Sequence, residues 1–209
     1  PPTAQVWYFL RADKHRTVEY MFERLADIAK GAALMTGTTV ASQIDSDTHE
    51  ILPNWPLAQL IQKNLELVGP PQFNEEEKAF ARKTQAPLPN KPELALAETI
   101  DPLSAEPEQG KASTDVGDVS WTVPTIGFTV ATYTLGAPGH SWQIVACTGG
   151  SIGEKGMAVA AKTLAYSALE LLQSPALLEQ ARKDFEQRKA GYHFISLIPE
   201  GQRAPASIR

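Results

Sequence analysis

The first 45 residues constrain the fold most, because they alternate between β-type and helical patterns. Gln5–Leu10 is aromatic and β-branched, and Thr38–Ile44 is a second β-rich run, so each predicts a strand. The segment between them carries apolar residues at helical spacing, and Gly37 follows its expected end. These apolar residues are Val18, Met21, Phe22, Leu25, Ile28, Ala29 and Ala32. The pattern predicts a compact βαβ unit with a right-handed crossover.

The rest of the chain is predicted to be mainly helical with one more strand. Asn54, Asn74 and Ser174 are suited to cap three helices, and a further helix is expected at 153–172. The alternating, β-branched run 124–135 predicts a buried strand, and residues 85–111 predict a surface loop. The expected fold class is therefore α/β, in two parts that comprise residues 1–50 and 51–209.

Composition excludes several classes of protein. A net charge of −5 without a Lys/Arg cluster argues against nucleic-acid binding. The single cysteine, Cys147, excludes an internal disulfide and a cysteine-built zinc site. It follows the apolar, strand-like run "QIVA" and is expected to be buried. This cysteine usage fits a reducing compartment, and a cytoplasmic protein is expected. No apolar run is long enough to cross a membrane as a helix. The start "PPTAQVWYFLRA" lacks an initiator Met, which suggests a piece of a longer protein.

His140 is the first candidate for chemistry, because it lies on the Gly- and Pro-rich loop "GAPGHSW". A neutral imidazole on a rigid loop suits a metal ligand or a general base. The alternative is a histidine satisfied by backbone contacts, which spacing alone favours because no second His or Cys lies at ligand distance in the sequence. The other histidines, His15, His49 and His193, look scattered.

Three further positions are candidates on weaker grounds. Asp115 and Asp118 in "STDVGDVSW" could bind a metal or orient a histidine, although the residues alone favour the alternative of an Asx-rich turn that leads into a strand. Arg11, at the end of the first predicted strand, could clamp a carboxylate, or it could be an ordinary surface arginine. Asn54 is explained by helix capping, and a substrate contact would be additional.

Several stretches in order resemble a known family: "VWYFLRA", "DIAKGAALMTGT", "LPN", "KASTDVGDVSWTVPT" and "TLGAPGHSWQIVACTGGSIGEKG". Together they resemble the C-terminal half of the aminobenzoyl-glutamate hydrolase-like amidohydrolases, which are metal-dependent peptidases and deacylases related to carboxypeptidase G and the aminoacylases. The resemblance is weakest over residues 70–111. It implies a catalytic α/β domain and an inserted lid domain that forms the dimer contact. Residues 1–50 would be the second, βαβ half of this lid, and residues 51–209 the C-terminal part of the catalytic domain.

The resemblance also implies roles for individual residues. His140 would be the last metal ligand of a site that holds two divalent ions, zinc or manganese, in the full-length protein. Asp115, Asp118 and Ser141 would lie beside that site or face the substrate. Arg11 would bind the substrate carboxylate, and Asn54 would match an asparagine where the chain returns from the lid.

The same resemblance implies what this chain lacks. The other metal ligands and the general base of the family lie outside it, so no catalytic residue is assigned here and the chain alone should be inactive and bind metal weakly or not at all. The expected activity is hydrolysis of the amide bond of N-acyl or N-aroyl amino acids, by a homodimer joined through the lid or with a second related subunit. The alternative is a non-catalytic dimerisation or interaction module derived from the same fold.

Overall fold

The computed structural model describes residues 2–104 and 112–203, and its regular structure over these residues is helical. The helices are α1 His15–Thr36, α2 Trp55–Val68, α3 Glu75–Gln85, α4 Val116–Ser120, α5 Trp142–Thr148, α6 Ser151–Gln173 and α7 Pro175–Lys189. Within this described part, no helix combines the length and the apolar character needed to span a membrane.

Local capping chemistry sets the helix ends much as the sequence predicts. The Asn54 side chain accepts a hydrogen bond from the Leu57 N–H, which satisfies an orphan donor of α2. Asn74 and Glu77 form a reciprocal capping box at the start of α3. Gly37 ends α1 in the left-handed conformation at φ 65°, which glycine adopts without a Cβ penalty.

The three predicted strands are the main correction. Neither 5–10, 38–44 nor 124–135 is a strand, and pairing among the described residues is limited to one isolated parallel bridge between Pro53 and Thr125. β-propensity measures how well a residue fits a pleated, half-buried surface, so it cannot produce a strand without a partner. The α/β class and the βαβ lid are therefore not confirmed.

Two shorter segments also differ from the expected pattern. The apolar "QIVA" run, which looks strand-like, lies inside α5, and the Asp-rich turn contains the short helix α4. Apolar runs of four residues do not distinguish a strand from a buried helix. The predicted surface loop 85–111 is irregular over its described part, but Leu88, Ala95 and Leu96 in it are buried. Its remainder, 105–111, lies outside the described residues.

The chain divides into two compact units. The first unit comprises the described residues within 1–52, 107–123 and 188–209, and the second those within 53–106 and 124–187. The first contains α1, α4 and the segment after α7. The predicted domains 1–50 and 51–209 stay a prediction.

The second unit holds the core cluster. In it α2 and α5 pack against α6, and α3 packs against α5. The core consists of Ala81, Ala95, Leu96, Cys147 and Ile152. The predicted burial of Cys147 is confirmed, since it is 1% exposed. Gly156 of α6 lies so close to the backbone of Ala131 that a Cβ would collide with it, so a small residue is needed there.

Candidate functional site

A stacked pair of histidines forms the centre of the first unit. The rings of His15 and His49 lie 3.6 Å apart between centroids and only 13° from parallel. Both residues are buried, at 3% and 5% exposure. Ionisable side chains are rarely this buried without partners, so the groups around the two rings decide what the pair can do.

His49 is bonded to a carboxylate on one side and a phenol on the other. Asp118 Oδ1 accepts from the His49 backbone N–H at 2.8 Å and lies 3.2 Å from Nδ1. The His49 Nε2 atom is 3.1 Å from the Tyr192 hydroxyl. A histidine held at one nitrogen by a carboxylate has a defined tautomer and orientation, an arrangement that recurs at metal sites and in catalytic groups.

His15 has mainly acidic neighbours. Its Nε2 lies 2.8 Å from Asp47 Oδ1, and its Nδ1 lies 3.5 Å from Glu19 Oε1 without forming a hydrogen bond. The His15 backbone N–H donates to Glu50 at 2.9 Å. Burial acts to raise the pKa of Glu50, but this N–H and Lys14, 3.5 Å away, outweigh it, so the pKa is lowered.

Helix α4 brings Asp118 to His49 because of a close backbone approach. A Cβ at Gly117 would collide with the carbonyl oxygen of His49. The Trp121 indole N–H donates to the Glu50 carbonyl at 2.8 Å, and Ser120 Oγ accepts from the Leu52 N–H at 2.8 Å. These bonds fix α4 against the segment that carries His49.

Glu77 is a buried acid of the second unit, and its hydrogen bonds come from groups of the same unit. Glu77 Oε2 accepts from Lys155 Nζ at 2.6 Å and from the Asn74 N–H at 2.7 Å. Burial acts to raise the pKa of Glu77, but hydrogen bonds from Lys155 and Ser151 outweigh it and lower the pKa to about 2. A cavity beside Glu77 is also lined by Phe80 and Cys147. The bonds of Glu77 to Lys155 and Asn74 give this carboxylate a structural role. The cavity beside it is therefore a weaker candidate for a functional site than the histidine pair of the first unit.

The structure places the sequence-predicted site residues as follows. His140 is exposed on its loop at φ 59°, an uncommon conformation for a residue other than glycine. Ser141 follows at the cap position of α5, and its buried Oγ has no hydrogen-bond partner among the described residues. Asn54 is 1% exposed, and its amide donates to the Ala181 carbonyl at 2.8 Å, which accounts for its burial.

Of the candidates in the first unit, Asp118 alone joins the histidine pair. Arg11 and Asp115 are exposed, and neither is among the partners of Asp118. The expected roles of all six candidates stay predictions. Sequence reasoning missed His49, His15 and Tyr192, because His49 is 69 residues from Asp118 and 143 from Tyr192, a separation that no local motif reveals.

The described residues do not by themselves form a metal centre. No group of three or more His, Cys, Asp or Glu side chains in 2–104 and 112–203 is arranged to hold a metal ion. A closed or catalytic zinc site needs at least three protein ligands. Exposed His140 could therefore contribute to a centre only together with ligands from elsewhere.

The chain is similar to curated hydrolases over most of its length. It is 35% identical over 208 residues to one subunit of the p-aminobenzoyl-glutamate hydrolase of Escherichia coli (strain K12), covering 88% of this chain and 43% of that protein. It is 28% identical over 191 residues to Xaa-Arg dipeptidase of Mus musculus, covering 89% of this chain and 37% of the relative. For Xaa-Arg dipeptidase of Homo sapiens the identity is 24% over 201 residues, which cover 95% of this chain and 39% of that protein.

These matches confirm the resemblance seen in the sequence. The chain spans roughly two fifths of the length of the curated relatives it matches. No family model matches the chain. No solved structure matches it either.

Proposed function

We propose that this chain, whose resemblance to the aminobenzoyl-glutamate hydrolase-like proteins the matches confirm, is part of a metal-dependent amidohydrolase that cleaves the amide bond of N-acyl or N-aroyl amino acids. The observation that carries the proposal is the 35% identity that extends over 88% of the chain. The names of the relatives indicate two substrate types, an aroyl-glutamate and dipeptides that end in arginine. Both types present an amide bond beside a free carboxylate.

In this proposal His140 supplies one metal ligand and the remaining ligands and the general base come from outside this chain. The exposure of His140 supports the idea, because an imidazole on the surface of its unit is available to a centre completed elsewhere. When bound, two zinc or manganese ions would polarise the amide and activate water. The chain alone is then inactive.

Two other residues have proposed substrate roles. Exposed Arg11 would bind the substrate carboxylate through paired charge-assisted hydrogen bonds. Asp118 would face the substrate. Arg11→Ala should raise KM for substrates with a free α-carboxylate and leave the matching amides unaffected. Equal slowing of a carboxylate substrate and its amide would contradict the clamp.

The main test compares the full-length parent with its His140→Ala variant on p-aminobenzoyl-glutamate. Turnover should fall by more than about 100-fold, because loss of a residue that only supports a metal ligand already costs up to about that much. His193→Ala is the matched control, because His193 is also exposed. Undiminished turnover in His140→Ala would contradict the ligand role.

A zinc titration of the 209-residue chain completes this test. Binding should be weaker than micromolar, because one histidine is far from a complete site. Tight, stoichiometric binding that survives His140→Ala would overturn the assignment, and hydrolysis by the chain alone would overturn its inactivity.

A second candidate function is a non-catalytic dimerisation module, possessing the same fold but no chemistry. The exposed apolar residues near the start of the chain favour it, since Val6, Trp7, Tyr8 and Phe9 are 56–70% exposed. Apolar patches of this kind mark interaction sites. Light scattering should then show a dimer that Trp7→Ser weakens, and a monomer at high concentration would count against this candidate.

A further inference from the structure

The bonds of Asp118 distinguish its two carboxylate oxygens. Oδ1 is held by both the backbone N–H and the ring of His49. Oδ2 has no hydrogen bond to any described residue, and the Asp118 side chain is 30% exposed. One oxygen is therefore fixed while the other remains available to a ligand.

The neighbours of His49 determine which nitrogen carries the proton. A carboxylate accepts hydrogen bonds, so in the neutral imidazole Nδ1–H donates to Asp118 and Nε2 accepts from the Tyr192 hydroxyl. Burial and the nearby carboxylates of Glu19, Glu50 and Asp47 raise the pKa of Tyr192. The phenol therefore stays protonated and able to donate.

The plane of the His49 ring is also fixed. It stacks on the ring of His15, whose Nε2 lies 2.8 Å from Asp47 Oδ1. The other oxygen of Asp47, Oδ2, accepts a hydrogen bond from the Leu197 N–H at 2.7 Å. Phe194 contacts the ring with centroids 4.6 Å apart. A ring locked this way defines the position of Asp118 Oδ1, and with it the direction of Oδ2.

We propose that His49 is a positioning residue for Asp118, and that it holds Oδ1 so that Oδ2 presents a fixed acceptor to an N–H group of the substrate. The inference rests on the proposed function, in which Asp118 faces the substrate. It adds a residue that the sequence did not indicate. A fixed acceptor binds a donor better than a freely rotating carboxylate, because less conformational entropy is lost on binding.

The first test separates positioning from simple structural support by using two variants of His49 in the full-length protein. His49→Asn places an amide N–H near the position of Nδ1, and His49→Gln places it near Nε2 instead. Both remove the stack on His15, so both should lower Tm to a similar extent. If His49 positions Asp118, kcat/KM should fall less than about threefold for His49→Asn but about 10-fold or more for His49→Gln.

A double-mutant cycle makes the same test quantitative. Asp118→Ala should lower kcat/KM about as much as His49→Gln does, and the combined variant should be no worse than Asp118→Ala. Additive losses would show that His49 does not act through Asp118. Unchanged kcat/KM in Asp118→Ala, with turnover lost in His140→Ala, would leave the proposed function standing and overturn this inference.

A spectroscopic test does not depend on activity. Long-range ¹H–¹⁵N spectra of the chain, which has only four histidines, should show the His49 proton on Nδ1, with a resonance that Asp118→Ala shifts. A proton on Nε2, or no response to Asp118→Ala, overturns the inference. If the full-length protein hydrolyses none of the named substrates while the bond is observed, the proposed function fails, and the substrate role of Asp118 fails with it.

Discussion

Glu77 and Asp118 are both acidic residues that accept a backbone N–H, but their surroundings differ. Glu77, in the second unit, is 6% exposed, and its Oε2 is bonded to both Lys155 and the Asn74 N–H. Asp118, in the first unit, is 30% exposed at its side chain and is bonded through Oδ1 to a histidine. The charge of Glu77 is paired with that of Lys155, whereas no Lys or Arg is among the described partners of Asp118.

This difference teaches how to distinguish a structural carboxylate from a candidate binding group. A buried acid whose partners are a cation and a helix cap has its charge balanced within the fold, and its low pKa reports that the fold stabilises this charge. A half-exposed acid with one oxygen fixed keeps the other oxygen available. Changes at Glu77 should therefore affect stability, and changes at Asp118 should affect function.

The largest expected effect comes from Gly117, which holds Asp118 near His49. Gly117→Ala places a Cβ against the His49 carbonyl oxygen, so the backbone of α4 must shift, at a cost of about 3 kcal/mol. Urea denaturation measures the change. Gly31→Ala in α1 is the control, because nothing lies within 4 Å of its added Cβ, and it should raise stability by about 0.5–1 kcal/mol. Equal effects of the two substitutions would contradict the close approach of α4.

The next largest effect is expected at Glu77. Glu77→Gln removes a charge-assisted bond to Lys155 and should lower the free energy of unfolding by about 2 kcal/mol. Glu76 is exposed on the same helix and provides the control. Glu76→Gln should change the free energy of unfolding by less than about 0.5 kcal/mol. A similar small effect at both positions would show that the Glu77 pair contributes little.

The same pair predicts an acid dependence with a definite sign. The folded-state pKa of Glu77, about 2, lies below its ordinary value of 4.5, so the stabilisation is complete above pH 4.5 and is lost as the pH falls toward 2. Urea titrations between these pH values should show stability falling more steeply in the parent than in Glu77→Gln. Parallel curves would contradict the low pKa.

Local features of the fold were predictable from the sequence, and long-range pairings were not. Asn54 and Asn74 mark the starts of α2 and α3. Such starts can be predicted because a capping side chain bonds a backbone N–H only three residues further along the chain. The run 5–10 has strand-like residues but no paired strand, and pairing depends on chain outside the local pattern. The Asp-rich stretch raised a carboxylate that orients a histidine only as an alternative to a simple turn, and Asp118 Oδ1 lies 3.2 Å from His49 Nδ1. It could not indicate His49, because the two residues meet only through the fold.

The smallest expected effect is on stability at Asp118, and it sharpens the comparison with Glu77. Asp118→Asn keeps an oxygen that can accept from the His49 N–H, and the partly exposed side chain loses little by losing its charge. The free energy of unfolding should therefore fall by less than about 1 kcal/mol. Asp47→Asn is the control within the same unit, because Asp47 is 4% exposed at its side chain and both of its oxygens are bonded. It should cost more than Asp118→Asn in the same urea titration. If Asp118→Asn costs as much as Asp47→Asn, the Asp118 carboxylate is as structural as Glu77, and its free oxygen is no argument for a substrate contact.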